Sequence, residues 1–250
     1  TRLVASPDFY RIQPADQSAW FAHEIQKQID DMAAHGIKFA GFLADSIFSS
    51  DGVLPGEPGF LKQAIEVVHQ NGGIFIADEV QPGFARTGEA FWGFARHGVV
   101  PDVVTTGKPM GNGIPVSGLM AKAPVMAAFS DSLPYFNTFG GNPVSMAAAH
   151  AVMDVIEQEA LQAHSLKTGQ ALLSALQSLQ DSYACIGDVR GAGLFIGFEL
   201  VTDRETKQPD KRLALDLVEA LREECVLTSV AGPYGNVLKI RPPLCFQTGD

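Results

Sequence analysis

The stretch that most constrains the fold is Val103-Val-Thr-Thr-Gly-Lys108. Four β-branched residues in succession read as a buried strand, and Gly107 ends it. Lys108 therefore stands at the carboxyl end of a strand. The run that follows, residues 109–113 (Pro-Met-Gly-Asn-Gly), excludes a helix interior and demands a shaped loop. A second apolar strand, Ile74 to Ala77, ends the same way, at Asp78 and Glu79. The segment between them is long enough for a crossover, so the two strands can lie parallel with their carboxyl ends at one crevice. Open α/β sheets place their ligands at that edge. Taken singly, Lys108 reads as a surface lysine and Asp78 as a turn cap. Taken together, they put an amine and a carboxylate at one sheet edge.

That pair matches what pyridoxal phosphate needs. The amine condenses with the aldehyde as a Schiff base, and the carboxylate keeps the pyridine nitrogen protonated, so that the ring is an electron sink. Five stretches carry a further likeness: Ala77-Asp-Glu-Val-Gln-Pro-Gly-Phe-Ala-Arg-Thr-Gly88, Phe91-Trp-Gly-Phe94, Pro101-Asp102 through Lys108, Phe136-Asn-Thr-Phe-Gly-Gly-Asn-Pro143 and Asp188-Val-Arg-Gly-Ala-Gly-Leu194. In this order and spacing the chain resembles the class III aminotransferase family of pyridoxal-phosphate enzymes. The resemblance implies an α/β fold of type I, with a mainly parallel sheet and flanking helices. It implies part of a cofactor-binding large domain over 1–164 and a C-terminal α+β small domain, truncated, over 165–250. It assigns Lys108 and Asp78 catalytic roles, Gln81 the side of the ring hydroxyl, and Thr138 the cofactor phosphate, commonly across the interface of a homodimer. A hydroxyl with backbone N–H groups near Gly140 and Gly141 is sound phosphate chemistry.

Along the chain, apolar residues at Trp20, Phe21, Ile25, Ile29, Met32 and Ala33 predict a helix to His35, stopped by Gly36. Phe39–Ala44 reads as a strand running into the polar loop Asp45-Ser-Ile-Phe-Ser-Ser-Asp-Gly52. The family usually has glutamate at the Asp45 position, and a turn-forming aspartate is the equal alternative. Helices are expected over Pro58–Asn71, Glu89–His97 and Ala123–Phe129, and a long one from Pro143 through His164. His97 near a helix end reads as a cap rather than a base. Val116–Ala121 reads as a strand, as does Gly191–Val201, where alternating glycines require close backbone approach. A helix from about Ser165 through Ser182, another over Leu213–Glu224, and strands at Val226–Ser229 and Val237–Ile240 complete the chain.

With a net charge of -10, the 250-residue chain has no electrostatic match to a nucleic acid or an anionic membrane surface. The three cysteines, Cys185, Cys225 and Cys245, are scattered without metal spacing, which suits a reducing compartment, the cytoplasm. The expected partner is a small-molecule amine or amino acid. The family's phosphate-cradling loop and ring-stacking aromatic are not found among these residues. The chain begins without Met, and Gln247-Thr-Gly-Asp250 is a helix-capping signature with no helix behind it. A fragment or one segment of a longer polypeptide is expected.

Three functions follow. Amino-group transfer is the first. Elimination of phosphate from an amino-alcohol phosphate such as phosphoethanolamine is the second. It is motivated by the likeness of Gly107-Lys-Pro-Met-Gly-Asn-Gly113 and Gly232-Pro-Tyr-Gly-Asn-Val-Leu-Lys-Ile-Arg-Pro-Pro-Leu-Cys-Phe246 to that subgroup. An arginine of the family that clamps the substrate carboxylate falls at Lys239, with Arg241 directly before Pro242. Lysine is a point charge and not a fork, which weakens the case for α-carboxylate recognition. The alternative role of Lys239 is a solvent-facing residue on an edge strand. The third function is a non-catalytic chain that holds no cofactor.

Overall fold

The computed structural model describes all 250 residues. A single turn, α1 (Phe9–Ile12), precedes the first long helix, α2 (Gln17–Ala34). Asp16 caps α2 by accepting from the Ala19 N–H at 2.9 Å, and Gly36 ends it with φ +67. The apolar stripe buries Phe21, Ala22, Ile25 and Ile29. It packs with Leu61, Ala64, Ile65 and Val68 of α3 (Leu61–Gln70) in one core. Full burial of each large side chain there stabilises by about 1.5–3 kcal/mol.

This core lies against the first sheet. β1 (Gly41–Asp45), β2 (Ile74–Asp78) and β3 (Val103–Thr106) run parallel in that order, and β4 (Gly118–Ala121) returns antiparallel to β3. The register sets Asp45 beside Asp78 and Asp78 beside Thr105. The carboxyl ends of three neighbouring strands thus form one row, and Lys108 follows three residues past Thr105. Two features depart from expectation here. Residues 109–113 are not wholly irregular, because Lys108–Gly111 makes one turn of 3-10 helix. The helix expected over Glu89–His97 is a 3-10 segment at Gly93–His97.

After α4 (Ala123–Ser130), the long helix expected from Pro143 through His164 ends earlier, as α5 (Pro143–Gln158), and the next, expected from about Ser165, begins earlier, as α6 (Leu161–Ser178). Ala160, with φ +50, separates them. The second sheet follows. The predicted single strand over Gly191–Val201 is instead part of a hairpin, β5 (Ile186–Ala192) and β6 (Phe195–Asp203), which turns at Gly193 with φ +54. Then come β7 (Gln208–Pro209), α7 (Lys211–Glu223), β8 (Val230–Ala231) and β9 (Val237–Ile240). Their sheet order is β5-β6-β9-β8, all antiparallel. The strand expected at Val226–Ser229 falls instead at Val230–Ala231. Ile186, Val189, Ile196, Phe198, Leu200 and Leu238 form a core that α6 and α7 cover. No helix is long and apolar enough to cross a membrane.

The two sheets are locked by backbone contact and buried charge. A Cβ on Gly169 would stand 2.2 Å from the Gly193 carbonyl carbon, and one on Gly193 would stand 2.5 Å from the Arg86 carbonyl oxygen. Only glycine permits that approach. Arg190 of β5 donates to the Val53 and Gly52 carbonyls at 2.8 and 2.7 Å, and pairs with Asp188 and Glu199 at 2.7 Å each. Glu199 is fully buried and also takes Arg11 and the Asn236 amide. Burial pushes the Glu199 carboxyl up, but Arg190 and Arg11 outweigh it and hold its pKa low. The loop after β1 is thereby fastened to the second sheet.

Candidate active site

The site is built from the loops that leave the row of strand ends. After β1, Asp45 folds the chain back on itself. Its Oδ1 accepts from the Ile47 N–H at 2.9 Å, and its Oδ2 accepts from the Ser49 N–H at 3.0 Å and from the Ser49 hydroxyl. The turn-forming reading of Asp45 is the one observed. Burial raises the Asp45 pKa, Asp78 adds to this, and the three donors oppose it.

After β2, Asp78 caps the strand end, with Oδ1 accepting from the Val80 N–H at 3.0 Å. Glu79 points the other way, into the interior, and is fully buried. It accepts from the Gly93 and Phe94 N–H groups at 2.6 and 2.9 Å and from the Ser46 hydroxyl at 3.1 Å. Burial pushes its carboxyl up to about 7, against the pull of those donors. Glu79 thus ties the β2 loop to the β1 loop on the inner side of Asp78. His97 does related work. Its Nδ1 accepts from the Gly59 N–H at 3.3 Å, so its Nε2–H donates to the Ser46 carbonyl at 2.9 Å. Burial and Arg96 lower its pKa to about 3, and the imidazole is neutral, a structural tie and not a base.

After β3, Lys108 takes φ +37 and is exposed. Phe48, Val53, Phe84 and Ala85, in the two neighbouring loops, also have positive φ. Each such non-glycine residue costs roughly 1–2 kcal/mol of backbone strain. The strain collects where the loops converge, as it does at functional sites.

Four of the six residues singled out in the sequence line one cleft of about 370 Å³: Lys108, Gln81, Lys239 and Arg241, with Ser50 and residues 229–231. Asp78 lies on an adjoining cleft, together with Asp45, and the two clefts share Gln81 and Ser50. Gln81 is not a solvated amide. Its Nε2 donates to Ser49 Oγ at 2.5 Å and Ser50 Oγ at 3.3 Å, and its Oε1 accepts from Lys239 Nζ at 2.8 Å. Lys239 is not on an edge, since β9 pairs with both β6 and β8. Its Nζ and the Arg241 guanidinium lie 5.5 and 5.7 Å from the buried Phe195 ring. Thr138 lies outside both clefts, on the exposed segment 131–141, beside Tyr135, Phe136 and Phe139 at 72%, 87% and 81% exposure.

Sequence reasoning did not single out Ser49, Ser50 or Arg86. Ser49 and Ser50 sit in a loop recognisable only as polar. Arg86 is half-buried, and donates to the Leu194 and Pro242 carbonyls at 3.2 and 2.5 Å. It holds the β9 exit, and with it Arg241, against the β2 loop. Burial and Arg241 lower its pKa to about 10.

The donor set fits the reactive half of a pyridoxal cofactor: an amine, a carboxylate on the neighbouring strand end, and an amide between. Thr138, the residue expected at the cofactor phosphate, lies in neither cleft. A parallel sheet with this set at its carboxyl edge defines a fold type I pyridoxal-phosphate enzyme. The chain matches the model of the aminotransferase class-III family over residues 3–250, and it belongs to that family, which is pyridoxal-phosphate dependent. It is 41% identical to the alanine–glyoxylate aminotransferase 2-like protein of Drosophila melanogaster, over 97% of this chain and 53% of the relative. It is also 41% identical to an ethanolamine-phosphate phospho-lyase homolog of Caenorhabditis elegans, over 92% of this chain and 50% of the relative. Among solved structures it is similar to a phospholyase from Arthrobacter in complex with phosphoethanolamine. That match has a TM-score of 0.93 and 37% identity, over 99% of this chain and 60% of that one. The chain spans about half the length of the curated relatives it matches.

Proposed function

We propose that the complete protein transfers an amino group from a small amine or amino acid to an acceptor, using pyridoxal phosphate held at Lys108. The observation that carries this reading is the row of parallel strand ends that brings Lys108, Asp78 and Gln81 to one edge. When bound, the cofactor supplies an electron sink that acidifies the C–H bond beside the substrate nitrogen. Lys108 Nζ would be the covalent anchor for the cofactor and, once free, would be the amine that takes and returns the proton of the substrate carbon. The Asp78 carboxylate holds the proton on the ring nitrogen, and Gln81 orients the ring from its side. Thr138 reaches a phosphate from the exposed segment of a second copy, so the working unit is a homodimer. The apolar surface of Tyr135, Phe136 and Phe139 supports that assembly.

The division into a cofactor-binding part, 1–164, and a C-terminal part, 165–250, belongs to the same proposal. So does a cytoplasmic setting, supported by the free thiols of Cys185, Cys225 and Cys245.

Phosphate elimination from an amino-alcohol phosphate is the second reading. Lys239 favours it, because a compact ammonium serves a phosphate as well as a carboxylate. Borohydride reduction of the holoenzyme followed by peptide mapping tests the anchor. The pyridoxyl adduct is expected on Lys108, and an adduct on another lysine overturns the assignment. Phosphoethanolamine offered without an acceptor then separates the two reactions. Phosphate release selects elimination. Amino transfer to a keto acid without phosphate release selects transamination.

A further inference from the structure

The cleft at Lys108 is electrostatically unbalanced. Lys108, Lys239 and Arg241 all line it, and none of the three enters an ion pair. Asp45 offsets them only in part: its charge acts on Lys239, but its two oxygens accept from Ile47 and Ser49 and it forms no ion pair with the three. Asp78 caps its own strand through Val80. The side-chain acceptor that reaches the cations is the carbonyl oxygen of Gln81. Lys239 Nζ donates to it at 2.8 Å and Arg241 Nη1 at 3.4 Å, while Ser49 and Ser50 hold the other end of the amide. Burial lowers the Lys239 pKa, and Arg241 and Lys108 lower it further against the pull of Asp45, so a true anion hydrogen-bonded between the cations is favoured. Charge-assisted hydrogen bonds to an oxyanion are roughly twice as strong as those to a neutral acceptor. A neutral amide oxygen at the convergence of two cations therefore holds a place that a carboxylate or phosphate oxygen fills better.

We propose that Gln81 is a displaceable latch: its carbonyl oxygen occupies the point where Lys239 and Arg241 converge, and an oxygen of a substrate's terminal anion displaces it. The cleft thereby selects amines that carry a compact oxyanion. This rests on the reading of the Lys108 cleft as the reaction site. The arrangement differs from a permanent clamp. Without substrate, the cations are partly satisfied by the protein itself, and a neutral amine cannot open the latch. A phosphate and a carboxylate share the required chemistry.

The test titrates full-length holoenzyme with inorganic phosphate and, separately, with acetate. Binding is followed by the visible absorption of the bound cofactor and by phosphorus NMR line width, which does not depend on turnover. Gln81→Ala removes the competing acceptor, and phosphate is expected to bind about threefold to tenfold tighter. Gln81→Glu puts a carboxylate between the two cations, and phosphate is expected to bind at least about tenfold weaker, a loss of ~1.4 kcal/mol. Lys239→Gln is expected to weaken phosphate by about tenfold in the wild-type and Gln81→Ala backgrounds alike. Opposite shifts in the two Gln81 variants are the signature of a latch. Shifts of the same sign, or no shift, overturn it. Tighter phosphate than acetate assigns the anion as phosphate, and the reverse assigns it as carboxylate. Should the borohydride adduct map away from Lys108 while the opposite shifts persist, the latch stands and the reaction-site reading falls. Should Lys108 carry the adduct while the shifts are missing, the latch falls alone.

Discussion

Replacing Asp102 by Asn separates stability from chemistry in this fold. Asp102 precedes β3 at the amino edge of the sheet, opposite the row of strand ends that bears Lys108. Its Oδ2 accepts from the Phe75 N–H and from His69 Nε2, and its Oδ1 from Lys122 Nζ, each at 2.8 Å. One carboxylate thus joins α3, β2 and the exit of β4. Burial works to raise its pKa, but the bonds from Lys122, Phe75 and His69 outweigh it and lower the value from 3.8 to about 2. A carboxyl whose pKa is depressed on folding adds stability above its unfolded pKa and loses it as pH falls through the folded one. The shift is worth about 2.5 kcal/mol at pH 7. An amide keeps one acceptor but turns an N–H₂ group toward existing donors, so Asp102→Asn is expected to lose at least that amount. Urea denaturation of both proteins, at pH 7 and again at pH 3, measures the gap. It should be about 2.5 kcal/mol at pH 7, roughly half of that at pH 3, and close as pH approaches 2. A gap below about 0.5 kcal/mol at pH 7, or one that does not narrow in acid, refutes the linkage reasoning. Activity per folded molecule should not change.

Asp78→Asn should lower turnover by about tenfold to a hundredfold, the equivalent of one charge-assisted contact of roughly 1.5–3 kcal/mol, with folding retained. Near-wild-type turnover would remove Asp78 from the chemistry. Gly193→Ala forces a Cβ onto the Arg86 and Thr87 backbone and a side chain into φ +54, and should cost about 2–4 kcal/mol in a denaturation experiment. A loss below about 0.5 kcal/mol would mean that the sheets relax apart freely. Residues 1–250 alone should bind pyridoxal phosphate weakly in an absorbance titration, because Thr138, the residue proposed for the cofactor phosphate, lies outside both clefts. Tight stoichiometric binding would contradict that account of the clefts.

Where the code is local, the sequence specified the elements closely. The β-branched run Val103–Thr106 and the strand Val237–Ile240 occupy the predicted residues, and Ile74–Ala77 is extended only by Asp78. Buried strands announce themselves by continuous apolar residues, and glycine or a charged pair marks their ends. That sufficed to place Lys108 and Asp78 at the carboxyl edge of one parallel sheet. Asp45 illustrates the limit: glutamate-like role and turn former fit its sequence equally, and only the Ile47 and Ser49 donors decide for the turn.

Helix boundaries and strand reversal were not decided locally. Nothing in the residues around Ala160 places the break there rather than near His164, and in the fold α6 starts at Leu161 and packs Leu166 against Gly88 and Gly169 against Gly193. Gly193 carries no separate signal among its alternating glycines, and only contact with the Arg86 and Thr87 backbone makes it the hairpin turn. The same holds for the cleft. Gln81 and Lys239 are 158 residues apart in the chain, and the hydrogen bond between them exists because Arg190, Glu199 and Arg86 dock the second sheet on the first. Hydrophobic periodicity and strand-end residues are properties of neighbours in sequence, so the sequence by itself determined the elements and the residues at the sheet edge. Convergence of side chains from two sheets depends on close packing and buried charge between distant segments, which only the tertiary structure decided.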